Sequence, residues 1–174
     1  MQMAIKSIII LLVIYLSLIF FLPKKELYFF GESQLTKYKA IIGEEQIRDR
    51  FFDLELKNGK LFIDEIDMAS FEKINIYPTF FINKVKLQNF SPTKSLQKIM
   101  PVEIRNLVLF HTIFNPLKID IKIGGNFGDG EGVVDLDKKF VKIYLKPKKE
   151  SKSFSKIKKF LKKTKEGWIY EKKF

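Results

Sequence analysis

Hydrophobic positions along the chain follow two regimes. From Ser7 to Leu22 they are continuous: only Ser7, Tyr15 and Ser17 carry polar side-chain atoms, no charge interrupts the run, and Pro23 closes it. Extended back to Met3 the segment reaches about 20 residues, roughly the 30 Å of a bilayer core at 1.5 Å per residue. A backbone in lipid must satisfy its own polar groups, so the run predicts a transmembrane helix. Ile8, Leu11, Leu12, Ile14, Leu18, Phe20 and Leu22 are its anchor side chains. The run ends Ile19-Phe20-Phe21-Leu22-Pro23 and lacks a small-x-small cleavage site, which favours a retained signal anchor over a cleaved signal peptide.

Beyond Phe51 the period changes to two. Phe52, Leu54 and Leu56 fall on one face of an extended chain and Asp53, Glu55 and Lys57 on the other. Asn58-Gly59 then reads as a tight hairpin, with Leu61-Phe62-Ile63 starting the return strand. Alternation recurs at Ile74/Ile76, Val85/Leu87, Leu117/Ile119/Ile121/Ile123, Val134/Leu136 and Val141/Ile143/Leu145, with a second turn at Asp137-Lys138-Lys139. Strands at this spacing predict a mainly antiparallel sheet, one face aliphatic and the other charged. Two helical segments interrupt it. Residues 33–49 carry Leu35, Tyr38 and Ile42 at helical spacing. Residues 153–165 carry the narrow stripe Phe154, Ile157, Phe160 and Leu161, with Ser151 or Ser153 to cap the start and Gly167 to end it. Trp168–Phe174 reads as a closing strand. The fold class expected is therefore mainly β: an N-terminal transmembrane helix (1–23), a partly helical connector (24–50), and an antiparallel sheet domain (51–174) with one C-terminal amphipathic helix.

Charge sharpens this picture. The 174 residues hold 32 basic and 20 acidic side chains, a net of +12. The excess lies in residues 146–174, where lysines far outnumber glutamates; residues 24–145 are nearly balanced. Lys156, Lys158, Lys159, Lys162 and Lys163 surround the narrow stripe and form a candidate patch for lipid headgroups or an acidic partner. Sequence-specific nucleic-acid binding calls for arginines and interleaved aromatics, and the chain has only Arg48, Arg50 and Arg105, so nucleic acid is not an expected partner. There is no cysteine and one histidine, His111, which excludes disulfide scaffolds, zinc ribbons and thiol nucleophiles.

Other chemistry resolves to structural roles. The stretch Gly124–Gly132 lacks the Lys-Ser/Thr and the following helix of a phosphate loop, and Asp129 with Glu131 falls short of a calcium loop; a strand-to-strand turn explains its glycines. His111 has no evident nucleophile or orienting carboxylate, and Asp64, Glu65 and Asp67 suit a solvated strand end. No catalytic residue, cofactor, metal or small-molecule substrate is expected.

Three segments resemble the type II secretion system protein N family, in which a short membrane helix precedes a periplasmic β-rich domain. They are Leu56–Asp64 with the sheet continuing to Phe90, Asn115–Gly128 leading to Gly130–Leu136, and Val141–Pro147 followed by a helix and Gly167–Tyr170. The resemblance implies a non-catalytic, single-pass inner-membrane protein with its bulk in the periplasm. Lipopolysaccharide export protein C and AsmA-like lipid-transfer proteins share the outline. An excess of Lys, Ile, Phe and Asn over Arg and Ala, an AT-rich coding pattern, fits a bacterial source. The expected role is a scaffold or tether in an envelope-spanning machine (a secretion system, type IV pilus or DNA-uptake apparatus, or flagellar motor), with the membrane, other machine proteins and anionic lipid as partners. The alternative is a lipid-binding or lipid-transfer module with an apolar concave sheet face. DNA binding during uptake is a third reading. A closed, packed core would favour the scaffold and an open apolar groove the lipid module.

Overall fold

A computed structural model of the chain describes residues 2–99, 101–148, 152–164 and 167–174. Helix α1 (Gln2–Phe20) is long and apolar enough to cross a membrane, and most of its side chains are exposed. Pro23, which cannot donate to a helical ladder, separates it from α2 (Lys24–Thr36).

The helix expected at 33–49 lies earlier in the chain. Lys39 and Glu44 adopt positive φ, which no helix tolerates, and the β-branched pair Ile41-Ile42 and Ile47 enter strands instead. β1 (Ala40–Gly43) and β2 (Gln46–Asp49) lie end to end along one edge of β3 (Leu54–Ile63), so the sheet begins at Ala40, well before residue 51. The hairpin expected at Asn58-Gly59 is likewise displaced. β3 runs through that dipeptide, with Asn58 at positive φ as an irregularity inside the strand. Gly59 is needed there because a Cβ would meet the Phe71 ring at 2.2 Å. The chain reverses at Asp64-Glu65, both at positive φ as a primed hairpin turn requires.

From there the sheet is a meander: β4 (Ile66–Pro78), β5 (Ile82–Pro92), β6 (Ile104–Thr112), β7 (Lys118–Gly125), β8 (Gly128–Asp135) and β9 (Phe140–Pro147), each antiparallel to the next. The short helix α3 (Lys94–Ile99) sits in the β5–β6 connection. The glycine-rich stretch forms the β7–β8 hairpin, as read from sequence, and Asp137–Lys139 the β8–β9 turn. After β9 come α4 (Lys152–Ile157), a 3₁₀ turn (Lys158–Phe160), β10 (Lys162–Thr164) and β11 (Gly167–Lys173). The helix expected at 153–165 is thus cut short: Lys162 to Thr164 is extended and pairs with β11, while Lys165 lies outside the described residues. β11 pairs with β9, so the eleven strands form one sheet in the order β1-β3-β4-β5-β6-β7-β8-β9-β11-β10, with β2 beside β3. The first and last strands do not pair with each other. The sheet is open.

Register aligns the apolar positions. One row runs Leu56, Ile74, Leu87, Leu107, Ile123, Gly130, Leu145, Trp168, and the next Leu54, Ile76, Val85, Leu109, Ile121, Gly132, Ile143, Tyr170. Residues that pair share a face, so both rows lie on one side of the sheet, eight strands or about 34 Å across. The row between them faces the other way and reads Glu55, Asn75, Lys86, Val108, Lys122, Glu131, Tyr144, Ile169. The compact core is small. Tyr28 of α2 packs with Leu54, Leu56 and Phe71, and Ile42, Ile47, Ile74, Ile76, Leu87 and Phe90 close around them.

Candidate functional site

The apolar face is covered at its two flanks by different elements. At the β3 flank α2 lies across the strands. It is held there by Lys24, whose ammonium donates to Asp49 at 3.1 Å, and by Tyr28, whose hydroxyl donates to Glu45 at 2.8 Å. Lys24 and Tyr28 are both buried. Burial, then the Glu45 carboxylate, drives the Tyr28 pKa far up, so the phenol remains a donor. Burial and the Glu45 charge also raise the Glu32 pKa. Between α2 and the strands a groove of about 360 Å³ remains, walled by Leu27, Tyr28 and Leu35 of the helix and Ile42, Leu56, Ile74, Ile76 and Val85 of the sheet.

At the β11 flank the covering element is α4 with its 3₁₀ turn. Phe154 meets Trp168 edge-on at 5.5 Å, and the Lys158 ammonium sits 5.0 Å from the same indole. A larger groove of about 620 Å³ opens beneath, lined by Ile123, Phe127, Ile143, Leu145, Ile157, Leu161 and Tyr170, with Glu171 and Lys172 as its charged border. At Gly130 a Cβ would lie 2.6 Å from a Leu145 methyl, so the missing side chain lets Leu145 fold against β8.

Between the flanks the apolar face is less deeply covered. Leu107, Leu109 and Ile143 of the apolar rows, with Ile119 and Val134 beyond them on the same face, are only half-buried. Ile121 is the large apolar side chain of the central rows that is buried among the described residues. His111 lies on the same face and its Nε2 is 3.1 Å from the Pro116 carbonyl, a contact that ties down the β6–β7 loop. The opposite face is an ion-pair surface. Glu55, fully buried in β3, accepts from Arg50 at 2.7 Å and Lys73 at 2.8 Å, with Lys57 at 3.8 Å. The Lys73 hydrogen bond, with support from Arg50 and Lys57, outweighs burial and holds this carboxyl below the ordinary glutamate range. Beside it Asn75 donates to Asp53 at 2.6 Å. Depressions elsewhere on this face mix Lys122, Lys146, Asp129 and Glu131, both signs together.

The sequence-predicted residues are dispersed. Ile8, Leu11, Leu12, Ile14 and Leu18 are exposed along α1, as is Phe20, whose ring packs 4.9 Å from Phe51, while Leu22 is half-buried just beyond the helix. Lys156, Lys158 and Lys159 belong to α4 and the 3₁₀ turn, and Lys162 and Lys163 to the edge strand β10. All five are exposed, and none forms an ion pair among the described residues; Lys156 donates to the Lys98 carbonyl at 3.0 Å. Asp64 of the acidic cluster pairs with Lys39 at 2.7 Å, and Asp67 faces Lys60 at 3.8 Å. Among the described residues no group of three His, Cys, Asp or Glu could hold a metal ion. Sequence leaves the choice between a closed core and an open groove undecided, because periodicity marks an apolar face without telling whether anything covers it.

No family model, curated protein or solved structure matches the chain. The fold defines the class: a helix of membrane-spanning length joined through α2 to an open antiparallel sheet whose apolar face is only partly covered.

Proposed function

We propose that this is a single-pass membrane protein whose sheet domain binds lipid, its half-open apolar face receiving acyl chains from the membrane that holds α1. The observation that carries the reading is the pair of apolar rows, about 34 Å long at ordinary strand spacing, whose central side chains Leu107, Leu109 and Ile143 remain half-exposed. Monomeric proteins rarely leave so large an apolar surface unpartnered. Grooves of about 360 and 620 Å³ at its flanks have the size of small-molecule sites. The occupant is a lipid because the first groove lies along α2, which begins four residues after α1 ends and so stands beside the membrane. The inner membrane of a bacterium, with the sheet in the periplasm, is the setting that accords with the anchor and the resemblance noted above.

The full-length tagged protein, purified from its own membranes, tests this by mass spectrometry of co-purifying proteins and extracted lipids. Bound phospholipid or lipopolysaccharide that is lost on Ile143→Lys supports the reading. Equal lipid content in the wild type and Ile143→Lys overturns it.

A second reading, a tether in an envelope machine such as a secretion system, draws on the five exposed lysines around β10 and on that strand's unpaired edge. Anchoring would raise local concentration near partners, and the edge would accept a strand. Stoichiometric machine subunits in the same purification, without lipid, would select it.

A further inference from the structure

In a meander, alternate connections share one end of the sheet. The segments before β3, between β4 and β5, between β6 and β7, and between β8 and β9 therefore lie at one end; the first three carry Phe51-Phe52, Phe80-Phe81 and Ile113-Phe114, while the last, towards the other flank of the strand order, is the charged turn Asp137–Lys139. All six side chains are exposed, Phe114 at 84%. The connections at the other end are of different composition: the β3–β4 turn is Asp64-Glu65, and Phe127 of the β7–β8 turn is buried. Ile66 and Phe160 are exposed towards that end, but they lie at opposite flanks of the strand order.

The aromatic end touches α1. The Phe51 ring lies 4.9 Å from Phe20, and the Phe81 ring 5.4 Å from Tyr15. Tyr15 is six residues before Phe21, so sheet and helix overlap by about 9 Å along the helix axis. The run from Met3 to Leu22, about 20 residues or roughly 30 Å, just matches the hydrocarbon core, so Tyr15, seven residues before its end, lies well inside that core and carries the Phe81 ring with it.

We propose that these hairpin tips are immersed in the leaflet from which α1 emerges, so that the apolar sheet face begins inside the membrane. The inference rests on α1 as a membrane span but not on what the grooves bind. Immersion to about 9 Å matches the depth at which amphipathic elements seat their apolar side chains. It also gives a reason for the bulky apolar tips, since Phe is among the side chains that interfacial elements bury at the acyl boundary. The tips would then make the first groove continuous with the leaflet, and an acyl chain would enter it without crossing water.

The chain contains no cysteine, so single-cysteine variants of the full-length protein can be labelled with an environment-sensitive fluorophore and placed in phosphatidylcholine–phosphatidylglycerol nanodiscs. Phe80→Cys and Phe114→Cys probe the tips, Leu11→Cys probes α1, and Ile66→Cys probes the far end. With doxyl-labelled lipid, the tip and α1 labels should be quenched about twofold or more and the Ile66 label left unchanged, as expected for groups at acyl and aqueous depth. Quenching at Leu11 without quenching at either tip overturns immersion while leaving the span intact. Failure at Leu11 as well overturns the span on which the inference rests. Unquenched tip labels that are instead shielded from aqueous iodide would show a second copy or another protein covering the tips, which also overturns it.

Discussion

The two ends of the sheet are built from the same hairpins, yet from β3 to β7 their connections differ in chemistry. The end beside α1 carries Phe51-Phe52, Phe80-Phe81 and Ile113-Phe114. The far end carries an Asp64-Glu65 turn and the lysine-bearing segment around α4. Strand alternation cannot produce this difference, because it sorts residues between faces and not between ends. The asymmetry is written only in the connections, which bear no packing load and are free to match their surroundings.

The comparison can be broken most severely from beneath. Leu56 is fully buried where α2 crosses the sheet, and Leu56→Ala should cost about 2–5 kcal/mol in urea unfolding. Because α2 ties the sheet to the end of α1, the variant should also lose the overlap that brings Phe81 beside Tyr15. Next comes Glu55. Its lowered pKa means that its contribution to stability is present above the unfolded-state glutamate value and is lost as pH falls through the lower folded value. Glu55→Gln should reduce the melting temperature at pH 7 and flatten the acid limb of a stability profile, since Arg50, Lys57 and Lys73 lose their shared anion. Lys24→Ala should do less, about 1 kcal/mol, because the Asp49 carboxylate it leaves behind is 37% exposed and can be hydrated. The smallest effect on folding per site belongs to the far end. Replacing Lys158, Lys159, Lys162 and Lys163 by Glu should change stability by no more than about 0.5 kcal/mol per site. It should nevertheless abolish binding to an acidic partner, measured by co-purification, and leave lipid content unchanged. Loss of lipid in that variant would blur the distinction between the two ends.

Much of this was readable before any coordinates. The apolar run of α1, the strands from Ile74 to Leu145 and the division into an aliphatic and a charged face all follow from period and composition, and the register bears them out. The errors fall where local signals compete. Asn58-Gly59 has the chemistry of a hairpin turn, but Phe71 packs over Gly59 and draws the dipeptide into the strand. Leu35, Tyr38 and Ile42 repeat at helical spacing, yet Tyr38 is 79% exposed, and the residue that anchors α2 is Tyr28. The aromatic tips drew no notice as a group because they stand roughly thirty residues apart in sequence, and only the meander gathers them.

That same strand order leaves the domain's width unconstrained. In a closed barrel the strand number is tied to the diameter, but here an additional hairpin at the Asp137–Lys139 turn would slide the later strands outward by about 10 Å without altering any earlier pairing. Such a sheet can be lengthened or shortened two strands at a time, like the leaves of a folding screen, while its hinge at Pro23 stays where it is.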